Sequence, residues 1–347
     1  MAKKKAKYDW GKGSGKYQKF ETKVKLKWTH VSGEAEPYKD SAYIDVAKCL
    51  SVLNRKLVRQ GQVFKIKGFS VYTNYTDEQS MIKIGVLPRV WPMFNAYKKA
   101  RRLWNEHNLM ALRDTGASNL PKYYDFKILM DGTHARSVLN TAGAGEAADD
   151  NLEIVDFDDT PIPEGDWEYS VLHTADSPAG ATYSSLIHMC GGHRESDGTE
   201  TDDQTVPSQW NNGSIGAIVA YELSRGGTRI NSDASDLDQQ SSVNLLGGPF
   251  GNMLSSSLQK SATVAELAES DNDDPPYGMS MIGGDRTAPN CLPIWYGRVG
   301  QANNSSILKV PAFEAVAGLI RIELSGHGDQ PVNNIHVTFD VEIMGDI

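Results

Sequence analysis

Only three of the 347 residues are cysteine, Cys49, Cys190 and Cys291, and they are far apart and odd in number. That excludes a disulfide framework and suits a reducing compartment. No apolar run approaches the roughly 20 residues that a membrane-spanning helix needs. The hydrophobic fraction is 39% and the mean hydropathy −0.43, values that fit a folded core with long polar loops. No segment repeats at a fixed period. Catalytic signatures are missing too. There is no nucleophile elbow, no HExxH pair, and no serine, histidine and aspartate in a spacing that assembles a triad. Catalysis has no positive support in the sequence, and the expectation is a protein that is not an enzyme.

What the chain does have is a lopsided charge. The whole carries 35 Lys+Arg against 44 Asp+Glu, a net −9. Residues 1–27 hold ten lysines against Asp9 and Glu21, a local +8, which leaves −17 on the other 320 residues. Such asymmetry marks a charged tail with its own partner. No apolar stretch follows the first lysines, so the segment does not read as a secretory signal. The run GKGSGK is not a phosphate-binding loop. That motif would need glycine where Trp10 stands and serine or threonine where Tyr17 stands. Glycines keep such a segment flexible. Lys3, Lys4, Lys5, Lys7, Lys12, Lys16 and Lys19 supply hydrated point charges without arginine's planar fork. Tyr8, Trp10 and Tyr17 sit among them and suit stacking on unpaired bases. The combination predicts sequence-blind nucleic-acid binding by an arm over residues 1–19. The competing readings are a solvated charge run and a nuclear localisation signal around Lys3–Lys7.

Alternation begins directly after the arm. In FETKVKLKWTHV, Phe20, Thr22, Val24, Leu26, Trp28 and His30 share one face, and Lys23, Lys25 and Lys27 share the other. The positive charge therefore continues onto a strand, which favours a binding surface and adds these three lysines to the predicted nucleic-acid contacts. SAYIDVAKCLSVLNRKL reads as a helix, with Ala42, Val46, Leu50 and Leu53 at helical spacing. QVFKIKGFSVYTNYT and QSMIKIGVLPR read as strands. VWPMFNAYKKARRLWNEHN reads as a helix that starts near Pro92, and its Lys98, Lys99, Arg101 and Arg102 read as a solvated basic face. Further strands are expected at YYDFKILM, WEYSVLHTA, TYSSLIHMC and SIGAIVAYELS, and one late helix at SLQKSATVAELAES. ILKVPAFEAVAGLIRIELSG and IHVTFDVEIMG close the set. In the last, Ile335, Val337, Phe339, Val341 and Ile343 alternate strictly with polar residues. About nine strands, few helices and long acidic loops predict an antiparallel β-sandwich or barrel, best of all a double-sheet jelly roll. The expected organisation is arm 1–19 and shell domain 20–347, with surface insertions near 141–166, 191–213 and 227–306.

Two metal readings compete with this. His188, Cys190 and His193 in HMCGGHRE are ligands of the right type for zinc, but no second ligand pair stands at a familiar spacing. The reading preferred is a strand end with ordinary residues and no cofactor. Asp156, Asp158 and Asp159, and again Asp271, Asp273 and Asp274, are oxygen-rich loops of a kind that suits calcium between subunits. They lack the glycine and glutamate positions of the twelve-residue calcium loop, and solvated acidic loops are the plainer reading.

A lysine-rich arm joined to a large β domain resembles the capsid proteins of small viruses. LPRVWPMFNAYKKARRLWNEHN and VPAFEAVAGLIRIELSG…HVTFDVEIMG resemble, more narrowly, capsid proteins of small circular, Rep-encoding single-stranded DNA viruses. These stretches cover about a sixth of the chain. The resemblance implies a jelly-roll shell domain, an inward-facing basic arm and icosahedral self-assembly. It also implies single-stranded DNA as cargo, a host receptor, and residence in the virion and, during assembly, in the host cell including its nucleus. The all-lysine arm departs from the arginine-rich arms of many relatives, and the chain is longer. The runner-up is a non-viral β-sandwich binding module, for instance for glycans, which would have no use for the arm. A metal-dependent enzyme built on His188, Cys190 and His193 comes third.

Overall fold

A computed structural model describes residues 20–30, 38–73, 80–115, 123–139, 152–175, 182–193, 213–225, 291–299, 307–326 and 333–347. The chain opens with β1 (Lys23–His30), β2 (Tyr38–Asp45), α1 (Val46–Asn54), β3 (Gln62–Thr73) and β4 (Ser80–Val86). Next come α2 (Trp91–Thr115), β5 (Leu129–Asp131), α3 (Gly132–Leu139), β6 (Glu153–Ile154), β7 (Val171–Ala175), β8 (Thr182–Cys190), β9 (Ser214–Gly216) and α4 (Ala217–Arg225). The described chain ends with β10 (Leu292–Val299), β11 (Ile307–Val310), β12 (Phe313–Val316), β13 (Leu319–Gly326) and β14 (Asn333–Asp346).

The fold is mainly β, built on two antiparallel sheets. One runs β6-β1-β14-β3-β11, with β12 also on β3, and the other runs β2-β13-β4-β10. β11 pairs with Phe69–Tyr72 and β12 with Val63–Ile66. The two are one interrupted strand along β3, broken at Pro311, whose missing N–H cannot serve a ladder. The partners of the main strands are nested. β1 pairs with β14, β2 with β13, β3 with β11 and β12, and β4 with β10, all antiparallel. First meets last, and the pairing works inward. Successive pairs alternate between the two sheets, with β4 and β10 side by side in one of them, and β14 against β3 and β13 against β4 complete each sheet.

Alternation puts one face of each sheet into a shared core. Val24, Leu26 and Trp28 of β1 and Ile335, Val337, Phe339 and Val341 of β14 meet Ile82 and Ile84 of β4 and Ile320 and Ile322 of β13. Burial of this apolar area is the main stabilising contribution. Between β12 and β13 the chain crosses from one sheet to the other through Ala317 and Gly318, at φ 56° and 70°. A Cβ at Gly318 would lie 3.0 Å from the Phe64 ring, so glycine meets both a conformational and a steric need there.

Residues 87–291 run between β4 and β10 and carry a second layer. β5, β8 and β9 are parallel neighbours, and β7 is antiparallel to β8. α2 packs its Met93, Ala96, Tyr97 and Trp104 against Phe126, Ile128, Ile187 and Met189, and the same cluster takes in Tyr43, Val316 and Leu319 of the sandwich.

Several sequence expectations need correction. Residues 41–45, read as the start of a helix, end β2, and the helix begins only at Val46. Every residue from Ser41 to Ala47 is buried, so no alternation was there to be read, and Asp45 caps the helix through Ala47 and Lys48 N–H. SIGAIVAYELS is strand only over Ser214–Gly216, and the rest is α4. YYDFKILM and WEYSVLHTA are strand only at their ends, from Leu129 and from Val171. β10 lies inside 227–306, expected as surface insertion, yet it pairs along β4. Pro293 and Gly297 hide it from a pattern search. β6, within 141–166, is a strand on β1. The late helix expected at 257–270 and the arm 1–19 lie outside the described residues.

Candidate functional site

Of the predicted nucleic-acid contacts, Lys3, Lys4, Lys5, Lys7, Tyr8, Trp10, Lys12, Lys16, Tyr17 and Lys19 lie outside the described residues. Lys23, Lys25 and Lys27 point away from the core, as the alternation requires. Their face is not purely basic. Lys25 Nζ donates to Asp159 Oδ1 at 2.6 Å and to the Asp156 carbonyl at 3.1 Å. Lys27 sits opposite Glu153 of β6 and His336 of β14, and Lys23 opposite Asp340. Nearby, Lys67 pairs with Glu342 at 2.5 Å. The Lys25 hydrogen bond is the main reason the Asp159 carboxyl titrates below the usual range. The strand thus offers a mixed-charge face, and the predicted continuation of the arm's field along β1 is offset by the 153–159 segment.

That segment also explains the first aspartate cluster. Asp156 Oδ1 accepts from the N–H groups of Asp158 and Thr160, both at 2.9 Å, which closes a tight local turn. Asp159 is committed to Lys25. Asp271, Asp273 and Asp274 lie outside the described residues.

His188, Cys190 and His193 are brought to one end of β8 but are spent on the fold. His188 and Cys190 are fully buried, and His193 is nearly so. His188 Nε2 lies 3.0 Å from the Gly192 carbonyl, and Gly216 N–H donates to His193 Nδ1 at 3.2 Å. Among the described residues, no three histidine, cysteine, aspartate or glutamate side chains are grouped to hold a metal.

The dominant polar feature is one the sequence did not point to. Asp131, at the end of β5, is fully buried. Its Oδ1 accepts from Tyr43 Oη at 2.7 Å and His134 N–H at 2.9 Å, and its Oδ2 accepts from Arg321 Nη1 at 2.8 Å. Cys291 Sγ donates to the same oxygen at 3.7 Å. Arg321 also donates to Ser41 Oγ at 2.9 Å and to Glu323. His134 stacks on Tyr43 with ring centroids 4.2 Å apart. Burial alone would raise the Asp131 carboxyl, but the Arg321 charge, the His134 N–H and the Tyr43 hydroxyl outweigh it and hold it below its ordinary value. Contact with Cys190, burial and the Asp131 charge push the Cys291 thiol well up, so it stays protonated and is no thiolate nucleophile. Burial and Asp131 do the same to the Tyr43 hydroxyl. The network is a latch that ties β5 of the second layer to β2 and β13 of the sandwich. An arginine inside GLIRIEL was its only sequence signal.

A second buried carboxylate, Asp45, joins three more segments. Oδ1 caps α1, and Oδ2 accepts from Gln60 Nε2 at 3.1 Å and Trp167 Nε1 at 3.0 Å. Gln60 in turn pairs with both backbone groups of Ile128.

No family model, curated protein or solved structure matches the chain.

Proposed function

We propose that the chain is a viral capsid protein. A jelly-roll domain assembles with copies of itself into an icosahedral shell, and the lysine-rich arm neutralises packaged nucleic acid. The observation that carries this reading is the nested pairing of the eight main strands. A four-pair antiparallel ribbon wound so that successive pairs alternate between two sheets is the path of a jelly roll, a fold used by capsid and lectin domains. The arm, which precedes β1 directly, favours the capsid. Many arms gathered inside one shell bind phosphate multivalently, so each needs only weak affinity. The acidic body keeps particles soluble. Single-stranded DNA as cargo, and residence in the virion and host cell, come with the resemblance to the circular DNA viruses. In this reading the protein has no catalytic role and needs no cofactor, and the two buried carboxylate networks serve the fold.

Deleting residues 1–19 tests the arm. The deletion removes seven lysines and Asp9 and spares β1, so the truncated chain is expected to fold. Binding to unrelated single-stranded oligonucleotides is expected to weaken for all sequences alike, because phosphate contacts carry no base readout. The salt slope of log K falls by about 0.7 per lost contact, or roughly 3 if four lysines engage. Equal affinity and slope in the two proteins would show that the arm is not the packaging element.

A further inference from the structure

The basic stretch of α2 read from sequence as a solvated face has a more specific arrangement in the fold. Trp91, Asn95, Lys98, Lys99 and Arg102 are all exposed. At about 100° per residue they fall on one face about 100° wide, a stripe that runs roughly 16 Å along the helix. Four of the five basic residues of α2 lie within 98–102, a stretch without an acid, although the chain beyond residue 27 carries −17. Aromatic rings adjoin the stripe. α4 packs against α2 and sets Tyr221 edge-on to Trp91, ring centroids 6.4 Å apart. Lys99 Nζ stands 5.8 Å from the centre of the Tyr221 ring. Trp91 is 43% exposed. On the stripe Arg102 pairs with Glu106, groups 81% and 56% exposed, so this pair exchanges readily with another anion.

From this we infer that α2 carries a second, structured contact for single-stranded nucleic acid, separate from the arm. The identity of the polyanion rests on the packaging reading, and the placement of the site rests on the stripe. Lys98, Lys99 and Arg102 track the phosphates, and Trp91, steadied by Tyr221, offers a face for an unpaired base. A groove of cations beside an aromatic platform binds single strands with little sequence preference. The stripe is held rigid on α2, so little order is lost on binding.

The test uses the full-length chain, mixed before assembly with a 5-bromodeoxyuridine oligonucleotide and irradiated. Peptide mapping is expected to find adducts on Trp91 or Tyr221 as well as in the arm. The triple variant Lys98→Gln, Lys99→Gln, Arg102→Gln is expected to lower the salt slope by about 2, and Trp91→Ala to lower affinity about tenfold. Should Trp91→Ala fail to fold, the triple variant, which changes only exposed side chains, carries the test. Adducts confined to the arm with an unchanged slope would overturn the inference. So would a triple variant that loses heparin binding but keeps oligonucleotide binding, since the stripe would then serve a sulfated glycan. Closed shells without α2 adducts would sink this site and leave the capsid reading standing, whereas α2 adducts without shells would do the reverse.

Discussion

Replacing Arg321 by methionine while Asp131 stays in place is expected to cost roughly 3–5 kcal/mol of folding stability, the usual loss when one partner of a buried ion pair is removed. Asp131 is fully buried and Arg321 only 15% exposed, so water cannot replace the lost partner. Asp131→Leu alone should cost a similar amount, because it strands the guanidinium together with the Tyr43 hydroxyl and the His134 N–H. The double variant should recover much of the loss, since an apolar pair of similar volume often serves as well as a buried ion pair. Urea unfolding of the four proteins gives the coupling directly. The pH dependence adds a sign. In the parent the Asp131 carboxyl lies below its ordinary value. Its stabilising contribution is present above the unfolded value and is lost as pH falls through the folded one. In Arg321→Met burial dominates, the carboxyl moves up, and acidification should stabilise the variant. Additive single losses, with no recovery in the double, would show that the latch is not a coupled pair.

Asp45→Ala is expected to cost about 3–7 kcal/mol, from a lost helix cap of about 1 and two stranded donors, the buried Gln60 amide and the half-buried Trp167 N–H, at about 1–3 each. The site also carries a pH signature. Burial, opposed by the Lys48 N–H, Trp167, the Lys48 charge and the Ala47 N–H, raises the Asp45 carboxyl from 3.8 to about 6. The folded chain therefore holds this proton more tightly than the unfolded chain does. Stability falls as pH rises through the window from 3.8 to about 6, and the two-unit shift corresponds to about 3 kcal/mol. Asp125 is raised mainly by burial and contributes in the same direction. The measurement is the change in urea midpoint between pH 5 and pH 7, compared in the parent and in Asp45→Asn. The parent is expected to gain more on acidification than the variant. Equal changes would contradict the assignment.

Much of the sandwich was legible because its sheets are wet on one side. β1 and β14 alternate cleanly, and Val24, Leu26, Val337 and Phe339 fall inside as the pattern requires. β2 was not legible because both its faces are covered, one by the core and the other by the second layer. The spacing of Ala42, Val46 and Leu50 then imitated a helix. In α4, the run Ile218-Val219-Ala220-Tyr221 carries strand-forming residues, and packing against α2 overrides that preference. The charged centre was illegible for a different reason. Asp131 and Arg321 are 190 residues apart, and nothing in a single chain announces which buried charge meets which. Similarly, Lys25 looked free to bind a polyanion because Asp159, 134 residues further on, had no visible reason to reach it.

The most direct test of the capsid reading is a negative-stain micrograph of the purified full-length protein across a range of salt, pH and calcium. The expected result is closed shells of uniform diameter, under at least one of these conditions. A field of monomers or dimers under every one would contradict it.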